Sequence, residues 1–179
     1  MASRGFAPLS DVEAPYVAEL ARLELIRRFG EPAVNSGYKV VTSIAGRVQA
    51  AADRALRLGL IEDDRRHGYR GAIGKVKVQA GMDGTTLDGL LSEHSAVSLL
   101  VPAVVTKVAD TTAVVHMRGE GDARITWEGM SWARKQLKDG YTGAAPRKAS
   151  DILAVGDIVY VIPDRRGGAQ LSQLPEAQG

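Results

Sequence analysis

From Val101 onward, apolar and β-branched residues come in short runs separated by polar breaks. Val101-Pro-Ala-Val-Val-Thr-Lys-Val108 is followed, after four mostly polar residues, by Ala113-Val-Val-His-Met-Arg118. A third run, Ala123-Arg-Ile-Thr-Trp127, comes after Gly119-Glu-Gly-Asp122. Strand alternation puts Ala113, Val115 and Met117 on one face, with Ala123, Ile125 and Trp127 opposite them. Breaks of this length containing Gly and Asp are hairpin signals. The pattern predicts a three-stranded antiparallel meander whose apolar face needs a cover.

Upstream the period changes. Val12, Tyr16, Leu20, Leu23 and Ile26 form one helical stripe. It opens on the capping-box pattern Ser10-Asp-Val-Glu13 with Pro15 in the first turn, and closes on Arg27, Arg28 and Gly30. Tyr38 to Ile44 reads as a short strand, and Gly46 to Leu58 as a second helix ended by Gly59. Val48, Ala52, Ala55 and Leu56 line a face of that helix too small to form a core alone. Residues 61–74 are charged and rich in turn formers, and read as a solvated surface connection without chemistry. Lys75 to Gln79 suggests a brief strand, Gly81 to Gly84 a turn, and Thr85 to Glu93 a short helix capped by Thr85 or Thr86.

Beyond the meander, Glu128 to Lys138 is an irregular or helical excursion. Asp157 to Ile162 and Ala169 to Leu174 are strands joined by the turn Asp164-Arg-Arg-Gly-Gly168. Five short antiparallel strands, interrupted over 128–150 between the third and fourth, is the pattern of an oligonucleotide/oligosaccharide-binding (OB) barrel. The Gly156-Asp157 turn in Ala154-Val-Gly-Asp-Ile-Val-Tyr-Val161 suits the point where the chain turns into the closing strands. The expected fold is therefore mainly β with helices: a five-stranded OB-like antiparallel barrel, N-terminal helices and one short strand.

Composition narrows function mostly by exclusion. The 23 Lys+Arg against 21 Asp+Glu give a net charge of +2, too balanced to imply a nucleic-acid or membrane patch. No run approaches the roughly 18 apolar residues of a spanning helix, and the N-terminus lacks the apolar core of a signal peptide. Cysteine is absent, which removes disulfides and thiol chemistry. His67, His94 and His116 have no partners at ligand spacing, so neither a metal nor a cofactor is expected. His116 falls on the polar face opposite Met117 and is expected to be exposed, as is the Asp63-Asp64 pair. Ser36-Gly-Tyr-Lys39 matches the Ser-x-x-Lys nucleophile pattern, but that chemistry needs a helix N-terminus, whereas this tetrapeptide leads into a strand. One exposed aromatic and basic cluster remains as a partner-binding candidate: Trp132, Arg134, Lys135, Lys138 and Tyr141. Its plainer reading is a solvated helix that anchors one tryptophan to the barrel.

Several stretches resemble, in order, a continuous region of the class A penicillin-binding protein 1A family. They are Ala14-Pro-Tyr-Val-Ala-Glu19, Gly37-Tyr-Lys-Val-Val-Thr-Ser-Ile44, Gln49-Ala-Ala-Ala52, Arg65-Arg-His-Gly-Tyr-Arg-Gly71, Val101-Pro-Ala-Val-Val105, Trp132-Ala-Arg134, Gly156-Asp-Ile-Val159 and Leu171-Ser-Gln-Leu-Pro-Glu-Ala-Gln-Gly179. One departure is Ala45, where the family's Thr-Thr-Ile-Asp pattern has an acid to cap the next helix; Ser43 or solvent must serve instead. The resemblance implies a non-catalytic middle section of a bifunctional peptidoglycan glycosyltransferase and DD-transpeptidase anchored in the inner membrane. Residues 1–74 would hold a linker helix and the transpeptidase's first strand and helix, 75–97 a connection, 98–175 the inserted OB-like domain, and 176–179 the return. It further implies a periplasmic location and docking of an outer-membrane lipoprotein activator, with peptidoglycan as a second potential ligand and nucleic acid disfavoured. The alternative from the barrel pattern alone is an OB-type nucleic-acid or glycan-binding module.

Overall fold

The computed structural model describes residues 14–79, 81–164 and 166–176. It divides into two compact units, Met1–Leu58 and Gly59–Gly179. In the first, α1 (Pro15–Phe29) begins at the proline and ends at Gly30, whose N–H still reaches the Ile26 carbonyl at 2.7 Å and whose φ of +79° turns the chain out of the helix. Ion pairs from Arg22 to Glu19 and from Arg27 and Arg28 to Glu24 line its surface. The predicted stripe is present but uncovered, since no residue of α1 is buried. The expected capping box Ser10–Glu13 and Val12 lie outside the described residues.

The expected strand over Tyr38–Ile44 does not form. Nothing among the described residues hydrogen-bonds along it as a neighbouring strand, and Tyr38 stacks on Phe29 with ring centroids 5.1 Å apart. Ser36 closes the 3₁₀ turn Glu31–Asn35 and donates from Oγ to the Pro32 carbonyl at 2.7 Å, so it does not head a helix. The second helix does not stop at Gly59: α2 runs Gly46–Arg66. An internal glycine costs only about 1 kcal/mol, and apolar packing of Ile61 with Leu100 and Tyr160 offsets that. No residue from 46 to 58 is buried.

The second unit is the barrel. The brief strand shrinks to β1 (Gly74–Lys75), and α3 (Gly84–Leu90) is capped by Asp83, which accepts from the Thr86 N–H at 2.8 Å. The threonines expected to cap it therefore sit inside the first turn. The meander is β2 (Val101–Val108), β3 (Thr112–Met117) and β4 (Gly121–Thr126). Trp127, expected in the last strand, instead begins the single turn α4 (Trp127–Met130) and packs half-buried on the core. Strands β5 (Asp157–Pro163) and β6 (Gly168–Ser172) complete the sheet in the order β1-β5-β2-β3-β4-β6, with β5 also pairing β6. All pairings are antiparallel except β4–β6, where Arg124 and Ile125 meet Gly168 and Ala169 in parallel. A bulge between Val105 and Lys107 bends β2 around the barrel.

Inside lie Ala103, Val105, Val115, Met117, Ile125, Val159, Val161 and Leu171, capped by Met130, Ala149 and Leu153 from the 127–156 connection. The predicted alternation is correct for Ala113, Val115, Met117, Ala123 and Ile125, all buried.

The Gly156-Asp157 turn pins the start of β5 against β2 and the segment after β1. The Gly156 N–H bonds the Val105 carbonyl and its own carbonyl accepts from the Val76 N–H, each at 2.8 Å, while Asp157 accepts from the Ala154 N–H at 2.8 Å. Gly156 has a φ of +90°, and a Cβ there would lie 2.2 Å from the Val76 carbonyl oxygen. Gly156→Ala therefore combines left-handed strain with a backbone clash, and a loss of at least about 2 kcal/mol in the denaturant midpoint analysis is expected.

Candidate docking face

The passage 61–74, read from sequence as solvated loop, is where the barrel is sealed. Asp64 is helical and buried, contrary to its reading as an exposed surface acid. A carboxylate can leave water only if its lone pairs are filled. The Arg70 guanidinium meets Asp64 in bidentate fashion at 2.8 and 3.1 Å. Gln173 Nε2 donates at 2.7 Å and the Glu176 N–H at 3.2 Å. Gln173 also bonds the Gly68 carbonyl and accepts from the Arg70 N–H.

Next to this cluster, Tyr69 forms the support for the excursion. Its N–H donates to the Arg134 carbonyl at 2.6 Å, and its carbonyl accepts from the Gln136 N–H at 2.9 Å. Gly68 permits this approach: at φ +94°, a Cβ there would meet the Arg134 oxygen and Gln136 backbone at 3.0–3.1 Å. The Tyr69 ring lies edge-on to Trp132 at 5.9 Å, and the Arg65 guanidinium sits 5.1 Å over the indole while donating to the Leu171 carbonyl. Burial, with the negative charge of Asp157 adding to it, raises the Tyr69 phenol so that it stays neutral. Burial likewise lowers the Arg65 guanidinium, opposed by Glu62.

Trp132 is therefore half-buried against the core, not displayed as an exposed aromatic. Beyond it the chain makes a tight projection. Gly143 N–H bonds the Lys135 carbonyl and Leu137 N–H the Tyr141 carbonyl, both at 2.8 Å, around the 3₁₀ turn Lys138–Gly140. This brings four of the five sequence candidates onto one exposed feature: Arg134, Lys135, Lys138 and Tyr141, the last 72% exposed. Leu137 joins them at 48% exposed, a residue that sequence reading passed over. Tyr69 and Gly68 were missed too; a tyrosine bracketed by Gly68 and Gly71 in a charged stretch was the available signal.

His116 is also misread from sequence. It is 5% exposed, held between Asp122 at 2.8 Å and Asp88 at 3.1 Å, because α3 covers the outer face of β3 that alternation alone assigns to water. Among the described residues no group of three or more His, Asp or Glu side chains could hold a metal ion, and no helix is long and apolar enough to cross a membrane.

Comparison with known proteins covers nearly all of this architecture. The profile of the penicillin-binding protein OB-like domain matches residues 69–177. Penicillin-binding protein 1A of Pseudomonas aeruginosa is 36% identical over 171 residues, covering 94% of this chain and 20% of the relative. That of Vibrio cholerae is 37% identical over 175 residues, covering 93% and 21%. The crystal structure of penicillin-binding protein 1A from Haemophilus influenzae superposes with a TM-score of 0.60 at 30% identity, over 92% of this chain and 23% of that one. The chain spans about a fifth of the length of the curated relatives it matches.

Trp132 Nε1 is buried without a protein partner among the described residues. Removing that donor while keeping an aromatic ring should change stability by no more than about 1 kcal/mol, so Trp132→Phe is expected to fold normally. Trp132→Ala leaves a cavity beneath Arg65 and beside Tyr69 and should cost about 3 kcal/mol in chemical denaturation.

Proposed function

Because the chain belongs to the OB-like domain family of penicillin-binding proteins, we propose that it is the non-catalytic docking and spacer region of a bifunctional peptidoglycan glycosyltransferase and transpeptidase. In this reading it works in the periplasm, and the 134–141 projection receives an outer-membrane lipoprotein activator. The supporting observation is the projection itself. Tyr141 and Leu137 stand out among Arg134, Lys135 and Lys138 on a loop pinned by main-chain bonds to a buried tyrosine. Exposed aromatics ringed by basic side chains on a rigid support are the composition of an interface hot spot. The partner's complementary surface would be apolar with an acidic rim.

A second reading, glycan binding, draws on a different feature. Along the β4–β6 seam an open groove of about 710 Å³ is lined by Arg124, Thr126, Glu128, Arg166 and Gln170. Strand faces flanked by the loop between the last two strands are where OB barrels take oligosaccharides. The groove mixes polar and apolar lining and has no aromatic platform, which disfavours base stacking by nucleic acid.

Calorimetric titration with the cognate lipoprotein separates the two. Tyr141→Ala should weaken that binding about thirty-fold and Lys138→Glu about ten-fold, with thermal unfolding unchanged. Normal lipoprotein affinity in both variants would overturn the docking assignment. Binding of soluble peptidoglycan fragments that is lost in Arg124→Glu would support the groove instead.

A further inference from the structure

Helix α3 has only seven residues, two of them glycines, Gly84 and Gly89. That is far too short to persist by itself. Two sets of contacts hold it to the barrel. Leu87 and Leu91 pack on Val104 and Ile158, which face outward from β2 and β5, with Val76, Val78, Met82 and Leu90 around them. The other contact is polar and centres on His116 of β3.

The His116 ring lies between two carboxylates on different elements. Nδ1 is 2.8 Å from Asp122 Oδ1 on β4, and Nε2 is 3.1 Å from Asp88 Oδ1 on α3. Asp88 also accepts from the Gly119 N–H at 3.0 Å, joining the helix to the β3–β4 turn. Gly84 allows the helix to sit close, since a Cβ there would come within 3.2 Å of His116 Cε1. Arg118 points away, donating to the His94 carbonyl at 2.6 Å, and acts on Asp88 only through space. The carboxylates bonded to the ring are Asp88 and Asp122, and Arg124 lies two residues along β4 from Asp122 on the same face.

A neutral imidazole has one N–H and one lone pair. With a carboxylate at each nitrogen, the neutral ring must set its lone pair against carboxylate oxygen on one side or the other. Only the imidazolium donates to both. The Asp88 carboxyl is a poor alternative carrier of the proton: the Gly119 amide, and less strongly His116, hold it below the usual carboxylate range. The arrangement is complete when the ring is charged and loses one of its ties when the ring is neutral.

We propose that His116 is a proton-operated latch that ties α3 to the β3–β4 hairpin. Of the two ties only that from Nε2 to Asp88 reaches α3; loss of the Nε2 proton, with the shorter 2.8 Å bond from Nδ1 to Asp122 kept, loosens α3 from the barrel face formed by Val104 and Ile158. The direction follows from which state makes the contacts. The latch is closed while both ring nitrogens carry a proton and is weakened in the neutral ring. This inference is independent of what the 134–141 projection binds.

NMR on the 179-residue chain tests it, with the His116 ring carbons and the Leu87 and Leu91 amides followed from about pH 5 to 9. Exchange is corrected for its intrinsic pH dependence, and the Val105 and Val115 amides report whether the barrel itself stays folded. We expect α3 protection to fall about ten-fold with the same midpoint as the His116 ring signal, while the barrel amides do not change. In His116→Gln the α3 protection should be lower and flat with pH. Asp122→Asn, at an exposed carboxylate, should move the common midpoint to lower pH without unfolding the barrel. Protection of α3 that ignores the ring's titration would overturn the latch, as would a His116→Gln chain that keeps the wild-type pH profile. A ring already neutral at the acid end would overturn it equally.

Discussion

One face of the β2–β3–β4 meander is apolar, and keeping it from water dictates the rest of the barrel. A lone hairpin set with such a face would aggregate or unfold. Strands β5 and β6 wrap it, the 127–156 connection plugs it with Met130, Ala149 and Leu153, and the sheet closes through only two parallel residue pairs between β4 and β6. The entry into β5 in turn relies on Gly156, where the main chain passes too close to Val76 for any side chain. The hydrophobic requirement thus becomes a stereochemical one at a single residue.

Charge seals the barrel where apolar packing cannot. Asp64 near the end of α2 is bonded by Arg70, by Gln173 and by the Glu176 amide, groups up to 112 positions away in sequence. The segment before the barrel and the segment after it are thereby held together. Removing one partner of such a buried pair leaves an uncompensated charge, which typically costs more than the pair contributes net. Residues 61–71 are accordingly part of the barrel and not a tether to it. Arg65 and Tyr69 make the same point through Trp132, since both come from this stretch.

How much of this the sequence disclosed depends on the range of the interaction concerned. The meander and the two closing strands were legible because alternation and turn residues are local signals. The exposed projection was legible in composition: Arg134, Lys135, Lys138 and Tyr141 do share one feature. Tyr38–Ile44 looked like a strand because β-branched residues favour one, yet a strand needs a neighbour, and propensity cannot say whether one is present. Asp64 looked exposed because its stretch is charged, and His116 because alternation puts it on the face opposite Met117. Their burial comes from Gln173, 109 residues away, and from Asp88, 28 residues away. Alternation assigns a side chain to a face; it does not say whether a distant element covers that face.

The two functional proposals differ in how their elements are held, and that difference bears on what each can do. The 134–141 projection is fixed by main-chain bonds on both sides of Tyr69, so a partner that docks there orders few new degrees of freedom. It suits steady recognition. Helix α3 has almost no intrinsic stability and is held by apolar packing and by Asp88, which bonds the titratable His116 ring and the Gly119 N–H, so its attachment answers to solution conditions. Release of α3 would bare Val104 and Ile158 without disturbing the inner core, because those two residues face outward while their neighbours Ala103, Val105, Val159 and Val161 face in. A barrel built from strands with two apolar faces can therefore change one surface while keeping its fold, provided that surface is covered by an element held as weakly as α3.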